Sequence, residues 1–145
     1  MAQAKPVSPA IEGWFTADGP DGEPHLLGDR CSSCGTYVFP PTLAFCPNPG
    51  CEGASFERVP LSRRGRVWSY TVNRYQPPPP YVPAEPFLPY GIAAVELDDE
   101  KLVVLGQVAG DIDSPLPVGT EVELVVDTLF EDEAGRYLVW KWRRA

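Results

Sequence analysis

Four cysteines fall in two close pairs, Cys31-Ser-Ser-Cys34 and Cys46-Pro-Asn-Pro-Gly-Cys51, with eleven residues between the pairs. Paired thiols at this spacing bring four soft ligands round one point without a large fold behind them, which suits a tetrahedral zinc site. Four sulfurs close the coordination shell and leave no position for an activated water, so the ion expected here is one structural Zn. Such an ion supplies about 10 kcal/mol or more to a module too small for its own core. Iron in a rubredoxin-like site is the rival metal, and two disulfides are the metal-free alternative. The set also uses every thiol in the chain, leaving no free cysteine as a nucleophile.

Other catalytic groups are scarce. The one histidine, His25, lies in the polar stretch Asp-Gly-Glu-Pro-His, where a solvated residue is expected rather than a base. The sequence shows no Ser-His-Asp set, glycine-rich phosphate loop or His-Glu-x-x-His helix. Its carboxylates cluster at Asp98-Asp99-Glu100 and Glu131 to Glu133, in predicted turns. No catalytic residue is assigned.

Two basic clusters stand out, Arg63-Arg64-Gly65-Arg66 and Lys141 with Arg143 and Arg144. Solvated strand-end charges are the plain reading. The functional one is an anion site at Arg63, Arg64 and Arg66, for nucleic-acid phosphates or the phosphorylated end of a cofactor such as coenzyme A. A formal charge of −8 lowers the expectation of nucleic-acid binding, which counterion release from a basic face usually drives. It gives no support for binding an anionic membrane either.

The elements that must position these groups follow from local patterning. In 145 residues, 43% hydrophobic, a packed core is expected, and no apolar run reaches the roughly 18 residues of a membrane span. The first residues lack the apolar segment of a secretory signal, so a cytoplasmic protein with reduced thiols is expected. An arm and a short helix occupy 1–25, the helix running over 9–18. Ser8 is its N-cap and Pro9 its first residue. Ile11, Trp14 and Phe15 then share a face at i, i+3 and i+4, which packs on the core or docks on a partner.

A zinc ribbon is expected over 26–60, with Gly35 completing a Cys-x-x-Cys-Gly turn and Tyr37-Val38-Phe39 as a short strand. From 61 to 145 the period becomes two. Trp68, Tyr70 and Val72 share a face of a first strand, and their alternation directs the aromatics to the core. Gly91 to Leu97 and Leu102 to Val108 form a hairpin about Asp98-Asp99-Glu100. Thr120 to Phe130 and a last strand with Leu138, Trp140 and Trp142 complete five. The expected class is mostly β, a ribbon followed by a five-stranded antiparallel OB-fold barrel, with a sandwich or SH3-like barrel as the alternative. The insertion 76–90 carries seven prolines, too many for a helix or central strand. Tyr81, Phe87 and Tyr90 lie among them on a stiff arm, a partner-binding element or a lid over the barrel.

Taken in order, Gly13-Trp14-Phe15, Cys31-x-x-Cys34-Gly35, Cys46-Pro47 and Gly65-Arg66-Val67-Trp68-Ser69-Tyr70-Thr71 resemble domain-of-unknown-function family thirty-five over roughly residues 10 to 143. The barrel phrase is similar to that family's Gly-x-Val-x-Ser-Tyr-Thr signature. The second cysteine loop departs from it, being longer than the usual Cys-Pro-x-Cys. The resemblance implies a noncatalytic accessory subunit or domain partnering a thiolase-like acyl-CoA enzyme, such as a thiolase or an aldolase of sterol side-chain thioesters. Its roles there are assembly and the acyl channel. Some relatives are fused behind a hydratase domain, so the chain is either a subunit or an excised domain. Partner contacts are then expected at Trp14, Phe15, Tyr81, Phe87 and Tyr90. The competing class is a single-strand nucleic-acid-binding OB-fold, and an iron electron-transfer protein is the third.

Overall fold

The computed structural model describes residues 6–16, 22–41, 45–78, 87–110 and 116–145. Among the described residues ten strands account for the regular structure: β1 (Val7–Pro9), β2 (Phe15–Thr16), β3 (His25–Cys31), β4 (Tyr37–Val38), β5 (Phe56–Pro60), β6 (Arg64–Asn73), β7 (Tyr90–Leu97), β8 (Val103–Val108), β9 (Glu121–Glu131) and β10 (Arg136–Arg144). The mostly β class expected from the sequence holds.

The last five strands close a barrel. β6, β7 and β8 run as an antiparallel meander. β8 then meets β10 in a parallel pairing at Gln107–Lys141 and Val108–Trp142. β10 pairs with β9, and β9 returns to β6 through Gly65–Val122. That circuit is the OB-fold order. It removes the open edges that a flat five-stranded sheet would expose. The β7–β8 hairpin turns through Asp98 to Glu100, as the sequence pattern indicated.

The barrel interior is filled by Val67, Val95, Leu97, Val104, Val122, Leu124 and Trp142, the residues that alternation directs inward. Each buried Val, Leu or Ile side chain contributes about 1.5–3 kcal/mol relative to exposure. Trp68 does not follow the alternation. The β6–β7 register shifts between Val67 and Ser69, and the extra residue rotates the indole outward, leaving it 62% exposed while Val67 is buried. The core face expected for Trp68 is therefore corrected.

The short helix expected over 9–18 is absent from the described residues 9–16. β1 instead lies parallel to β10, with Val7 beside Arg136 and the Ala10 amide donating to the Leu138 carbonyl at 2.7 Å. A turn leads to β2, where Phe15 and Thr16 pair with Leu26 and His25. About two turns of helix are too few to hold alone, whereas strand pairing satisfies the same backbone groups and buries Phe15. Residues 17 and 18 lie outside the described residues.

β2, β3, β4 and β5 form the smaller sheet, with β3 central: β5 pairs with it from Leu27 to Cys31, β4 at Asp29 and Arg30, and β2 at His25 and Leu26. The two sheets share one apolar core. Trp140 of the barrel meets Trp14, Phe15 and Phe39 at ring-centroid distances of 6.3, 5.8 and 5.7 Å. Leu26 and Leu61, both fully buried, continue the seam. No helix among the described residues is long and apolar enough to cross a membrane.

Candidate metal centre and arginine clusters

The first cysteine knuckle is set by the end of β3. The Cys31 amide donates to the Thr36 carbonyl at 2.8 Å, and the Gly35 amide returns to the Cys31 carbonyl at 2.9 Å. Gly35 takes a φ of +78°, the left-handed conformation a tight reversal needs. The second knuckle is wider. Asn48 stiffens it, its side-chain oxygen accepting from the Gly50 amide at 3.1 Å and its carbonyl from the Cys51 amide at 2.9 Å. Gly53 joins the two arms, its amide donating to the Cys51 sulfur at 3.3 Å and its carbonyl accepting from the Cys46 amide at 3.1 Å.

These turns place the Sγ atoms of Cys31, Cys34, Cys46 and Cys51 within 4.8 Å of one another. Cys34 to Cys46 is 3.5 Å and Cys31 to Cys51 is 3.8 Å. A tetrahedron with Zn–S bonds of about 2.3 Å has edges of about 3.8 Å, so the donor set fits zinc. A disulfide needs an S–S distance of about 2.05 Å; all four thiols are free.

The electrostatics ask for a cation. The Thr36 hydroxyl, followed by the Thr36 amide, stabilises the Cys34 thiolate and brings that pKa down to about 6. The amides of Cys34 and Ser33 lower Cys31. At Cys46 the Asn48 amide is the largest single influence and acts downward, but burial and the neighbouring sulfurs outweigh it and push the thiol up to about 12. Cys51 is raised likewise, its Gly53 amide outweighed by burial and by Cys34 and Cys31. Without a cation two thiols are lowered and two raised, because four thiolates at this separation repel. A divalent ion removes that conflict. The four cysteines are those the spacing singled out; Thr36 and Gly53 were not, because only the folded turns bring them onto the sulfurs.

The remaining residues separate. His25 is no free base: its Nδ1 lies 2.8 Å from the Leu61 carbonyl. Phe15 is buried in the core and Trp14 is half-buried against Phe39 and Trp140, so this pair docks on its own barrel. Phe87 and Tyr90 meet edge to face at 6.3 Å, and the Tyr90 hydroxyl accepts from Asn73 at 2.8 Å. Leu88 between them is exposed. Tyr81 lies outside the described residues.

The arginines of the first basic cluster diverge. Arg64 and Arg66 project toward β9, 3.8 Å from Glu123 and 3.4 Å from Glu121. Glu123 also receives Arg143, whose guanidinium hydrogen bond holds the carboxyl below its usual range. Arg63 turns the other way, into the seam, donating to the carbonyls of Pro24 at 3.0 Å and Leu124 at 3.2 Å.

Comparison with known proteins agrees with this geometry. Residues 21–57 match the family model described as the ChsH2 rubredoxin-like zinc ribbon domain, and residues 58–127 the model for the ChsH2 C-terminal OB-fold domain. The benzoylsuccinyl-CoA thiolase subunit BbsA of Thauera aromatica is 35% identical over 122 residues, spanning 83% of this chain and 77% of its own length. A DUF35 domain-containing scaffold protein of Methanocaldococcus jannaschii is 34% identical over 108 residues, 74% of this chain and 71% of that one. Among solved structures, a chain of the Ltp2-ChsH2(DUF35) aldolase superposes with a TM-score of 0.64 at 28% identity, covering 94% of this chain and 98% of that chain.

Proposed function

This chain belongs to the ChsH2 (DUF35) family of zinc-ribbon and OB-fold proteins, and from that premise we propose that it is the noncatalytic partner of a thiolase-superfamily enzyme acting on an acyl-CoA. The observation that carries the reading is how the chain spends its reactive groups. All four sulfurs converge on one metal site and His25 is engaged with Leu61, while relatives matched over most of its length are named as a thiolase subunit and as part of an aldolase. The reaction, thiolytic or aldol cleavage of a thioester such as a sterol side-chain CoA, belongs to the partner. This chain supports assembly and one wall of the acyl channel.

Phe87, Leu88 and Tyr90, with Tyr81 of the same proline-rich insertion, supply the contact surface. The insertion leaves the barrel between β6 and β7, and proline keeps the entropy cost of ordering it low. Co-purification with a thiolase-like protein tests the reading. Phe87→Ala is expected to weaken the complex with zinc content unchanged, and an equally stable complex removes the insertion from the interface.

A further inference from the structure

β6, β7 and β8 form a wall of the barrel whose outer face carries an aromatic knob. Ser69 pairs with Ala94 and Ala94 with Leu105, so these three share that face. The bulge between Val67 and Ser69 adds Trp68 to it, 62% exposed, with Leu105, 64% exposed, two strands away. No charged residue occurs from 68 to 72, 90 to 95 or 102 to 108, the stretches that make this wall. Arg66 and Glu96 sit opposite each other at its margin. The β9–β10 side carries Glu121, Glu123, Asp127, Lys141 and Arg143 instead.

The same wall carries a hole. β8 pairs with β10 at only two positions, Gln107–Lys141 and Val108–Trp142. Beside that short pairing opens a groove of about 350 Å³, lined among others by Ile92, Leu105, Gln107, Leu129, Val139 and Trp140, with no charged residue in its lining. The Trp140 indole N–H is already engaged with the Leu105 carbonyl at 2.9 Å, so Gln107 supplies a side-chain amide in an otherwise apolar slot. An indole, flat and apolar with a single N–H donor, matches that combination.

We infer that this wall joins two copies of the chain about a two-fold axis, with Trp68 of each copy seated in the groove of the other. A two-fold contact presents the same patch from both sides, so a knob and a hole on one wall satisfy each other twice. Charge selects this wall. At a formal charge of −8, copies meeting through β9 would bring Glu121, Glu123 and Asp127 toward their own equivalents, whereas the Trp68 wall buries no charge. A single well-seated tryptophan is the side chain that most often dominates such a contact. The inference does not rest on the proposed accessory function, whose contact surface centres on the proline-rich insertion.

Sedimentation velocity of the zinc-loaded full chain from about 1 to 200 μM tests it. A monomer–dimer equilibrium is expected, tightening as salt screens the net charge, with tryptophan emission shifting to the blue as concentration rises. Trp68→Ala is expected to weaken the dimer about 30-fold and to remove the shift, at unchanged zinc content. Leu105→Thr alters the groove without adding charge and is expected to weaken the dimer too, so it gives the reading if Trp68→Ala misfolds. Mixing the two variants brings one intact knob to one intact groove, and the mixture is expected to dimerise more tightly than either variant alone. A wild-type chain that stays monomeric, a dimer indifferent to both substitutions in folded chains, a dimer loosened by salt, or a mixture no tighter than its parts each overturns the inference. So does a monomeric wild-type chain whose complex with a thiolase-like protein is lost in Trp68→Ala, which would assign the wall to that protein.

Discussion

Gly53 stands against Cys31 with no room for a side chain between them. A Cβ on Gly53 would lie 3.0 Å from the Cys31 sulfur and 2.9 Å from the Ser33 hydroxyl. The same glycine donates to Cys51 and accepts from Cys46, so it touches three of the four ligands. Gly53→Ala is expected to force the knuckles apart and to weaken zinc binding by about 10- to 100-fold, the usual effect of disturbing groups that orient metal ligands. Competition with a chromophoric chelator measures this.

Proton release accompanies metal uptake, with a sign fixed by the thiols. At neutral pH the metal-free chain keeps protons on the raised thiols Cys46 and Cys51, while Cys34, near 6, is mostly ionised. Zinc requires thiolates and expels those protons, so zinc added in weak buffer at pH 7.5 acidifies the solution. In the metal-free chain Cys34 too takes up its proton as pH falls through about 6, so zinc affinity falls more steeply with acid below that value than above it. A zinc affinity that did not fall with pH would contradict the thiolate set.

Chelation should separate the two halves. Cys34→Ser or exhaustive chelation is expected to open the ribbon to protease at residues 45–58 before the barrel yields, because the barrel holds its own core of Val67, Val95, Leu97, Val122, Leu124 and Trp142. Tryptophan fluorescence should report a partial change, since Trp14 and Trp140 straddle the seam while Trp142 lies inside the barrel. Simultaneous loss of both halves would show that the metal holds the whole chain.

The barrel is tight at Gly106, where a Cβ would lie 2.8 Å from the fully buried indole of Trp142. Gly106→Ala is expected to cost about 1–3 kcal/mol through overpacking, read as a lower urea midpoint.

Glu123 makes a smaller, pH-dependent contribution. Its carboxyl is lowered in the folded state by Arg143, so its stabilisation is present above the ordinary carboxylate range and is lost as pH falls through the depressed value. Both arginine partners are well exposed, which limits the effect to about 1 kcal/mol or less. Glu123→Gln should lower the urea midpoint slightly at pH 7 and leave it unchanged in strong acid.

The metal site and the barrel were legible because their signals are local. Cysteine spacing fixes the ligands, and period-two runs fix strands such as β9, where Val122 and Leu124 alternate with Glu121 and Glu123. Three features needed the folded chain. Ile11, Trp14 and Phe15 fit a helical face, but pairing of Phe15 with Leu26 decided that segment. Trp68 kept its place in the alternation until a bulge moved it to the other face. The divergence of Arg63, which turns into the seam, from Arg64 and Arg66, which face β9, depends on barrel closure, which no window of consecutive residues encodes.

A noncatalytic partner must promote a reaction that it cannot carry out. The decisive assay is carbon–carbon bond cleavage of the acyl-CoA by the zinc-loaded chain alone, the thiolase-like partner alone and the two together. The expected result is no turnover by this chain alone, a stable complex on size-exclusion chromatography, and turnover in the mixture above that of the partner alone. Cleavage by the isolated chain, or a partner equally active without it, would refute a noncatalytic supporting role.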